Sequence, residues 1–219
     1  MPLCIRLFRG EGILLNKIGT AGYESLSRPQ YTTIDSIKKL LESGIEPVIA
    51  EIGVGIGATS RGICEVLNGR GKLHVFDFQA QVDVLADDLR ALGYTNVIPH
   101  GNTHKHWDSY HWSLMKLWQA VRAPVFDYVY LDGAHTLLHD TAAFFIADKL
   151  LKIGGTIDFD DYAWSYAPSK AMVAVRHEYM TKEQEEAAQV KMIVDAFVKG
   201  STRYETVIEN KAYRKLADA

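Results

Sequence analysis

Glu51-Ile52-Gly53-Val54-Gly55-Ile56-Gly57 (EIGVGIG) overlaps the end of the apolar run Val48–Ile52 (VIAEI) and leads straight into a stretch with helical spacing. Glycines between a strand and a helix permit a tight turn, and without Cβ atoms they let a ligand lie against the backbone. An ordinary strand-to-helix turn has the same shape, so the detail of the pattern matters. The spacing is not the dinucleotide pattern G-x-G-x-x-G, and an acidic residue stands before the first glycine. A dinucleotide site presents a helix N-terminus to a pyrophosphate. A carboxylate at position 51 suits a cationic or hydroxyl-bearing ligand better.

Outward from this turn the chain alternates short apolar runs with helical stretches. Residues 73–77 (LHVFD), 96–100 (NVIPH) and 126–132 (FDYVYLD) read as strands, and 156–159 (TIDF) follows Gly154-Gly155 as a fifth. Residues 204–209 and 212–216 supply two closing strands. Between them, Ile63, Val66 and Leu67 share a helical face, as do Val82, Leu85 and Leu89, and then Phe144, Phe145 and Leu151. Strands separated by helices predict an α/β fold, a mostly parallel seven-stranded sheet with helices on both faces. In such sheets ligands bind at the carboxyl ends of the strands, near the point where strand order reverses. No linker divides the chain, so residues 1–219 are expected to form one domain. Residues 1–45 are a helical N-terminal addition, with Ile34, Ile37, Leu40 and Leu41 on one face and Gly44 as its stop; residues 46–219 are the core. Residues 182–199 read as one helix with Val190, Ile193, Val194 and Phe197 turned inward.

The 219 residues are 47% hydrophobic and 23% charged, the balance of a globular protein with a substantial core. A net charge of −3 does not describe a nucleic-acid-binding surface, which is usually clearly basic. Residues 1–17 are broken by Arg6, Arg9 and Glu11 and lack the apolar core of a signal peptide. No run approaches the roughly 18 apolar residues that cross a bilayer. Cys4 and Cys64 are the only cysteines, too few for a disulfide framework or a thiolate zinc site. The expectation is a cytoplasmic protein without nucleic-acid or membrane partners.

EIGVGIG resembles the first motif of class I S-adenosylmethionine methyltransferases, [DE]-x-G-x-G-x-G. The second feature of that family is an acid ending the next strand, and Asp77 in LHVFD stands there. The resemblance implies a Rossmann-like fold in which Glu51, Gly53, Gly55 and Gly57 line the methionine end of S-adenosylmethionine. It implies that Asp77 holds the ribose and that Phe78 packs on the adenine. Gly101-Asn102 ends the third strand, where the family often contacts adenine, although Asn after Gly is also plain turn chemistry.

Strand four ends Asp132-Gly133-Ala134-His135 and strand five ends Asp160-Asp161-Tyr162. Adjacent strands lie roughly 4.8 Å apart, so three carboxylates are expected to converge at one strand-end site. Unpaired they repel, and a hard divalent cation such as Mg²⁺ relieves that. Turn capping by Asp160 and Asp161 is the alternative, with Asp132 holding a loop. Consecutive strand residues also point to opposite faces, so Asp160 and Asp161 share an ion only if the chain bends between them. D-x-x-H followed by D-D-Y after G-G resembles the metal-dependent small-molecule O-methyltransferases, most closely the macrocin and mycinamicin sugar type and more distantly catechol O-methyltransferase. The likeness spans residues 45–165. It implies Asp132, Asp160 and Asp161 as metal ligands, Asp132 also bordering the cofactor, and His135 as general base. The catechol enzymes end the metal set with Asn where this chain has Asp161, and they carry a lysine near the D-x-x-H position that residues 133–136 lack.

The implied reaction is methyl transfer from S-adenosylmethionine to a hydroxyl of a small molecule, assisted by Mg²⁺. A hydroxyl is a poor nucleophile until its proton is lost or its pKa lowered; a metal acidifies it, and histidine accepts protons near neutrality. A hydrogen-bonded strand-end role for His135 is the alternative. Rival functions are a metal-independent N- or C-methyltransferase and a cofactor-binding protein without catalysis. A second copy of the chain is an open option as partner. His104, His106 and His111 match no closed zinc spacing and read as a polar loop entering a helix. Asp158 interrupts a strand buried on both faces, which predicts a buried partner.

Overall fold

A computed structural model of the chain describes residues 13–218; the opening residues 1–12, Cys4 included, lie outside them. Strands β1 (Val48–Ile52), β2 (Lys72–Phe78), β3 (Val97–Asn102), β4 (Phe126–Leu131) and β5 (Leu151–Phe159) run parallel. β6 (Tyr204–Ile208) and β7 (Ala212–Lys215) complete the sheet in the order β3-β2-β1-β4-β5-β7-β6, with β7 antiparallel to both its neighbours. The order reverses between β1 and β4, which places the ligand crevice over their carboxyl ends.

Alternate strand residues feed two cores. Ile49, Leu73, Val75, Tyr128 and Tyr130 pack against α1 (Tyr31–Glu42), α2 (Ala58–Leu67) and α3 (Gln79–Ala91). Ala50, Ile52, Phe76, Val129 and Leu131 pack on the other face, against α4 (Tyr110–Val121), α5 (Leu137–Leu150) and the C-terminal helices. Among the described residues the N-terminal addition contributes one regular α-helix, α1, ended by Gly44 at φ +88°. Among the described residues no helix is long and apolar enough to cross a membrane.

Two boundaries and the placement of two aromatic side chains differ from the sequence reading. β5 begins at Leu151, immediately after α5, so Leu151 belongs to the strand and Gly154-Gly155 lie inside it. The glycines accommodate a register shift opposite Phe126 and Tyr128, with Gly154 at φ +85°. Residues 182–199 form two helices, α6 (Lys182–Glu186) and α7 (Gln189–Phe197), because Ala187 is extended at ψ 136°. A capping box of Thr181 and Gln184 starts α6 independently. Phe145 and Phe197 are largely exposed rather than inward, pairing with each other at 5.1 Å.

β2 and β3 also bring two histidines together, His74 Nδ1 lying 2.8 Å from His100 Nε2, with His100 stacked on Phe76. Burial pushes both imidazoles down to about 4. Their folded values lie below the unfolded one, so the unfolded chain binds more protons and stability falls as pH drops from about 6.5 to about 4. Buried carboxyls such as Glu51, raised to about 8, act in the opposite direction, so the comparison must be a difference. Urea unfolding of wild type against His74→Leu/His100→Leu is expected to show wild type losing on the order of 3 kcal/mol relative to the variant between about pH 7.5 and 4.5. A difference that stays flat with pH contradicts the assignment.

Candidate active site

The glycine turn is built from three different requirements. Gly53, at φ +86°, donates its N–H to the Phe76 carbonyl at 2.8 Å, and a Cβ there would lie 1.9 Å from the Asp132 carbonyl oxygen. The ends of β1 and β4 therefore meet backbone to backbone. Gly57, at φ +85°, starts α2 where a Cβ would strike Leu85 and Leu15. Gly55, at φ +50°, has nothing within 4 Å of its Cβ position and faces open space. Two of the glycines serve packing, and the middle one leaves room.

Glu51 lies beneath this turn, 1% exposed, and its Oε2 has no hydrogen-bond partner among the described residues. Burial pushes the carboxyl up to about 8, the nearby Ser60 hydroxyl pulling it back and the charge of Asp77 adding to the rise. Asp77 ends β2 as expected and accepts the N–H of Val54 at 3.0 Å and of Phe78 at 2.7 Å, one on each carboxylate oxygen. Burial raises its pKa against those two bonds. Each oxygen keeps a further lone pair for a ligand hydroxyl. Phe78 packs on His104 with ring centroids 4.0 Å apart. Asn102 donates from Nδ2 to the Asp77 carbonyl at 2.9 Å, while its buried Oδ1 has no partner among the described residues. The Gln81 side-chain amide donates to the Gly55 carbonyl, a contact the sequence did not suggest.

At the neighbouring strand ends the carboxylates converge. The Asp132 N–H donates to the Ile52 carbonyl at 2.8 Å and the Asp160 N–H to the Leu131 carbonyl at 3.0 Å, which extends the ladder one residue beyond each strand. Asp161 then adopts φ +53°, so the chain bends sharply just after Asp160. His135 also has φ +53°, and its Nε2 lies 3.6 Å from Asp132 Oδ1 and 3.5 Å from Asp161 Oδ2. Burial raises the Asp132 carboxyl well above the usual range, followed by the charges of Asp160 and Asp161. Burial also raises Asp161, with His135 and Lys211 countering. The Tyr130 hydroxyl donates to Asp132 Oδ2 at 3.1 Å.

Residues remote in sequence complete the arrangement. Gln30, just before α1, donates from Nε2 to Asp160 Oδ1 at 2.6 Å and from its backbone N–H to the Thr59 hydroxyl on α2. Asp158 has the buried partners expected of it: Lys211 Nζ at 2.8 Å from Oδ1, with Thr33 and Tyr128 hydroxyls each 2.6 Å from Oδ2. The Ala134 peptide, one residue before His135, is gripped on both sides. Its N–H donates to the Tyr110 hydroxyl at 2.9 Å, which in turn donates to the buried Asp140, and its carbonyl accepts the Tyr166 hydroxyl at 2.5 Å. Arg176 fixes the segment carrying Tyr166 through the carbonyls of Tyr166, Ala167 and Ser169 and the carboxylate of Glu185. Trp164 stands 5.2 Å from the His135 ring.

Among the described residues, no three His, Cys, Asp or Glu side chains are gathered as a metal centre. Gln30 occupies one oxygen of Asp160, and His135 lies between the other two acids. The donor chemistry suits a hard divalent cation nonetheless, since the charges of Asp160 and Asp161 lie close enough to raise the proton affinity of Asp132.

A mostly parallel sheet in this order, with a glycine turn after β1 and an acid ending β2, defines a Rossmann-like protein of the class I methyltransferase fold. A family model described as a methyltransferase domain matches residues 50–162, just over half of the chain, and the chain belongs to that family. No curated protein matches the chain. Among solved structures, it is similar to a protein assigned as a caffeoyl-CoA O-methyltransferase from Staphylococcus aureus, with 16% identity, TM-score 0.61 and 97% of each chain covered. It is also similar to the O-methyltransferase TomG of Streptomyces achromogenes in complex with SAM, at 19% identity and TM-score 0.60 over 97% of this chain and 93% of that one. An O-methyltransferase from Bacillus cereus in complex with SAH matches at 14% identity and TM-score 0.59, over 96% and 94%.

Proposed function

We propose that the protein is an S-adenosylmethionine-dependent O-methyltransferase acting on a hydroxyl of a small molecule, with His135 as general base and a divalent cation at Asp132, Asp160 and Asp161. The observation that carries this reading is the contact of Gly53 with the Asp132 carbonyl. It sets the open glycine turn beside the carboxylate and histidine cluster, so methyl donor and hydroxyl acceptor have adjoining places.

The unpartnered Oε2 of Glu51 and the space at Gly55 suit the cationic methionine end of the donor. Asp77 offers its remaining lone pairs to ribose hydroxyls, and Phe78 and Asn102 border the adenine. A bound Mg²⁺ would lower the pKa of the acceptor hydroxyl. His135 turns Nε2 toward Asp132 and Asp161 and takes up the hydroxyl proton there. Asp132 and Asp161 then stabilise the imidazolium. Tyr110 and Tyr166 fix the Ala134 peptide and hence the position of the imidazole. We read the chain as one functional domain, since the N-terminal addition contributes Gln30 to the acid cluster.

Calorimetric titration of S-adenosylmethionine and S-adenosylhomocysteine, with and without Mg²⁺, tests the reading. Micromolar binding of both is expected, with a Mg²⁺ heat that Asp132→Ala loses. Absence of binding by either cofactor form would refute the transferase reading.

A further inference from the structure

Lys211 lies in the turn between β6 and β7, far in sequence from every acid at the site. Its carbonyl accepts the Phe159 N–H at 2.8 Å and its own N–H donates to the Ile208 carbonyl at 3.1 Å, so the turn is pinned to the end of β5. The ammonium lies 2.8 Å from Asp158 Oδ1 and 3.7 Å from Asp160 Oδ1. It also stands 5.4 Å from the centre of the Tyr130 ring, whose hydroxyl binds Asp132. The side chain is only 16% exposed, so water screens these interactions poorly.

Asp158 accounts for only part of this placement. That carboxylate is fully buried and satisfied on its other oxygen by Thr33 and Tyr128, so one cation completes it. The same cation reaches past it to Asp160, one of the three acids implied as metal ligands. We propose that Lys211 is a resident counter-charge of the acid cluster, which answers part of the charge of Asp160 and thereby weakens the hold of Asp132, Asp160 and Asp161 on a divalent cation. This inference rests on the metal reading above. The physics is direct: a fixed positive charge beside one ligand repels a second cation.

Mn²⁺ alone is the probe, its free fraction read by electron paramagnetic resonance on the whole chain, with circular dichroism reporting the fold. Lys211→Met is expected to bind Mn²⁺ roughly tenfold more tightly than wild type, while Lys211→Arg keeps wild-type affinity within about twofold. Lys211→Met/Asp158→Asn avoids an unpaired buried carboxylate and is expected to bind roughly threefold more tightly. It serves as the deciding variant where the single one does not fold. A structural role alone would change the melting temperature and leave Mn²⁺ affinity unmoved. Equal Mn²⁺ affinity in all folded forms overturns this inference and leaves the metal reading standing. Mn²⁺ bound by none of them overturns both.

Discussion

His135→Ala is expected to lower kcat by 10²- to 10⁴-fold, about 3–5 kcal/mol of barrier, while S-adenosylmethionine binding stays within about threefold of wild type. The split follows from the geometry. Nε2 lies beside Asp132 and Asp161, the side proposed for the acceptor, whereas Asp77 accepts the Val54 N–H and Asn102 donates to the Asp77 carbonyl on the side proposed for the cofactor. Turnover is measured as S-adenosylhomocysteine release on a hydroxylated acceptor found by screening, and affinity by calorimetry. A variant that keeps its turnover, or that loses cofactor affinity in parallel, removes His135 from the role of base.

Gly53→Ala is expected to be the most damaging single methyl addition at the glycine turn. The new Cβ would sit 1.9 Å from the Asp132 carbonyl oxygen, inside any allowed contact, on a backbone at φ +86°. β1 and β4 would have to part at the site itself, at a cost of about 3–5 kcal/mol, or a melting temperature lower by on the order of 10 °C. Gly55→Ala is the control that gives the result its meaning. Its Cβ meets nothing within 4 Å, so only the left-handed backbone penalty of about 1–2 kcal/mol applies. That variant should remain folded and lose cofactor affinity, because the methyl occupies the space left for the ligand. Equal thermal stability of the two variants, measured by calorimetric scanning, would contradict this division of roles.

The parts legible in the sequence were those encoded locally. Buried parallel strands are continuous apolar runs, and Ile52, Phe76 and Leu131 each stop at or near a glycine or an acid, so the strand ends and their order of appearance could be read directly. The start of β5 could not, because Leu150 and Leu151 are both apolar and join helix to strand without a turn residue between them. Nor could the break at Ala187, where two alanines carry no stop signal. In the candidate site, Asp132, His135, Asp160 and Asp161 stood out because they fall at, or within four residues of, the ends of β4 and β5. Gln30, Tyr110, Asp140, Tyr166 and Lys211 were not, since their contacts span 24 to 130 residues of sequence or depend on the turn that carries them. Asp158 lay between the two groups: its oddity was plain, but its partners came from α1, β4 and the β6–β7 turn.

His135 and Asp161 share one further property. Both hold φ +53°, a conformation that favours glycine or asparagine, and the described chain places Asn68 and Asn210 in two other such positions. Either residue at 135 or 161 would relieve about 1 kcal/mol of backbone strain and make a more stable fold. Folding alone therefore has no use for an imidazole or a carboxylate at these two points. An engineer seeking thermostability would be drawn to replace both, and would gain a sturdier protein stripped of the two groups proposed as base and metal ligand.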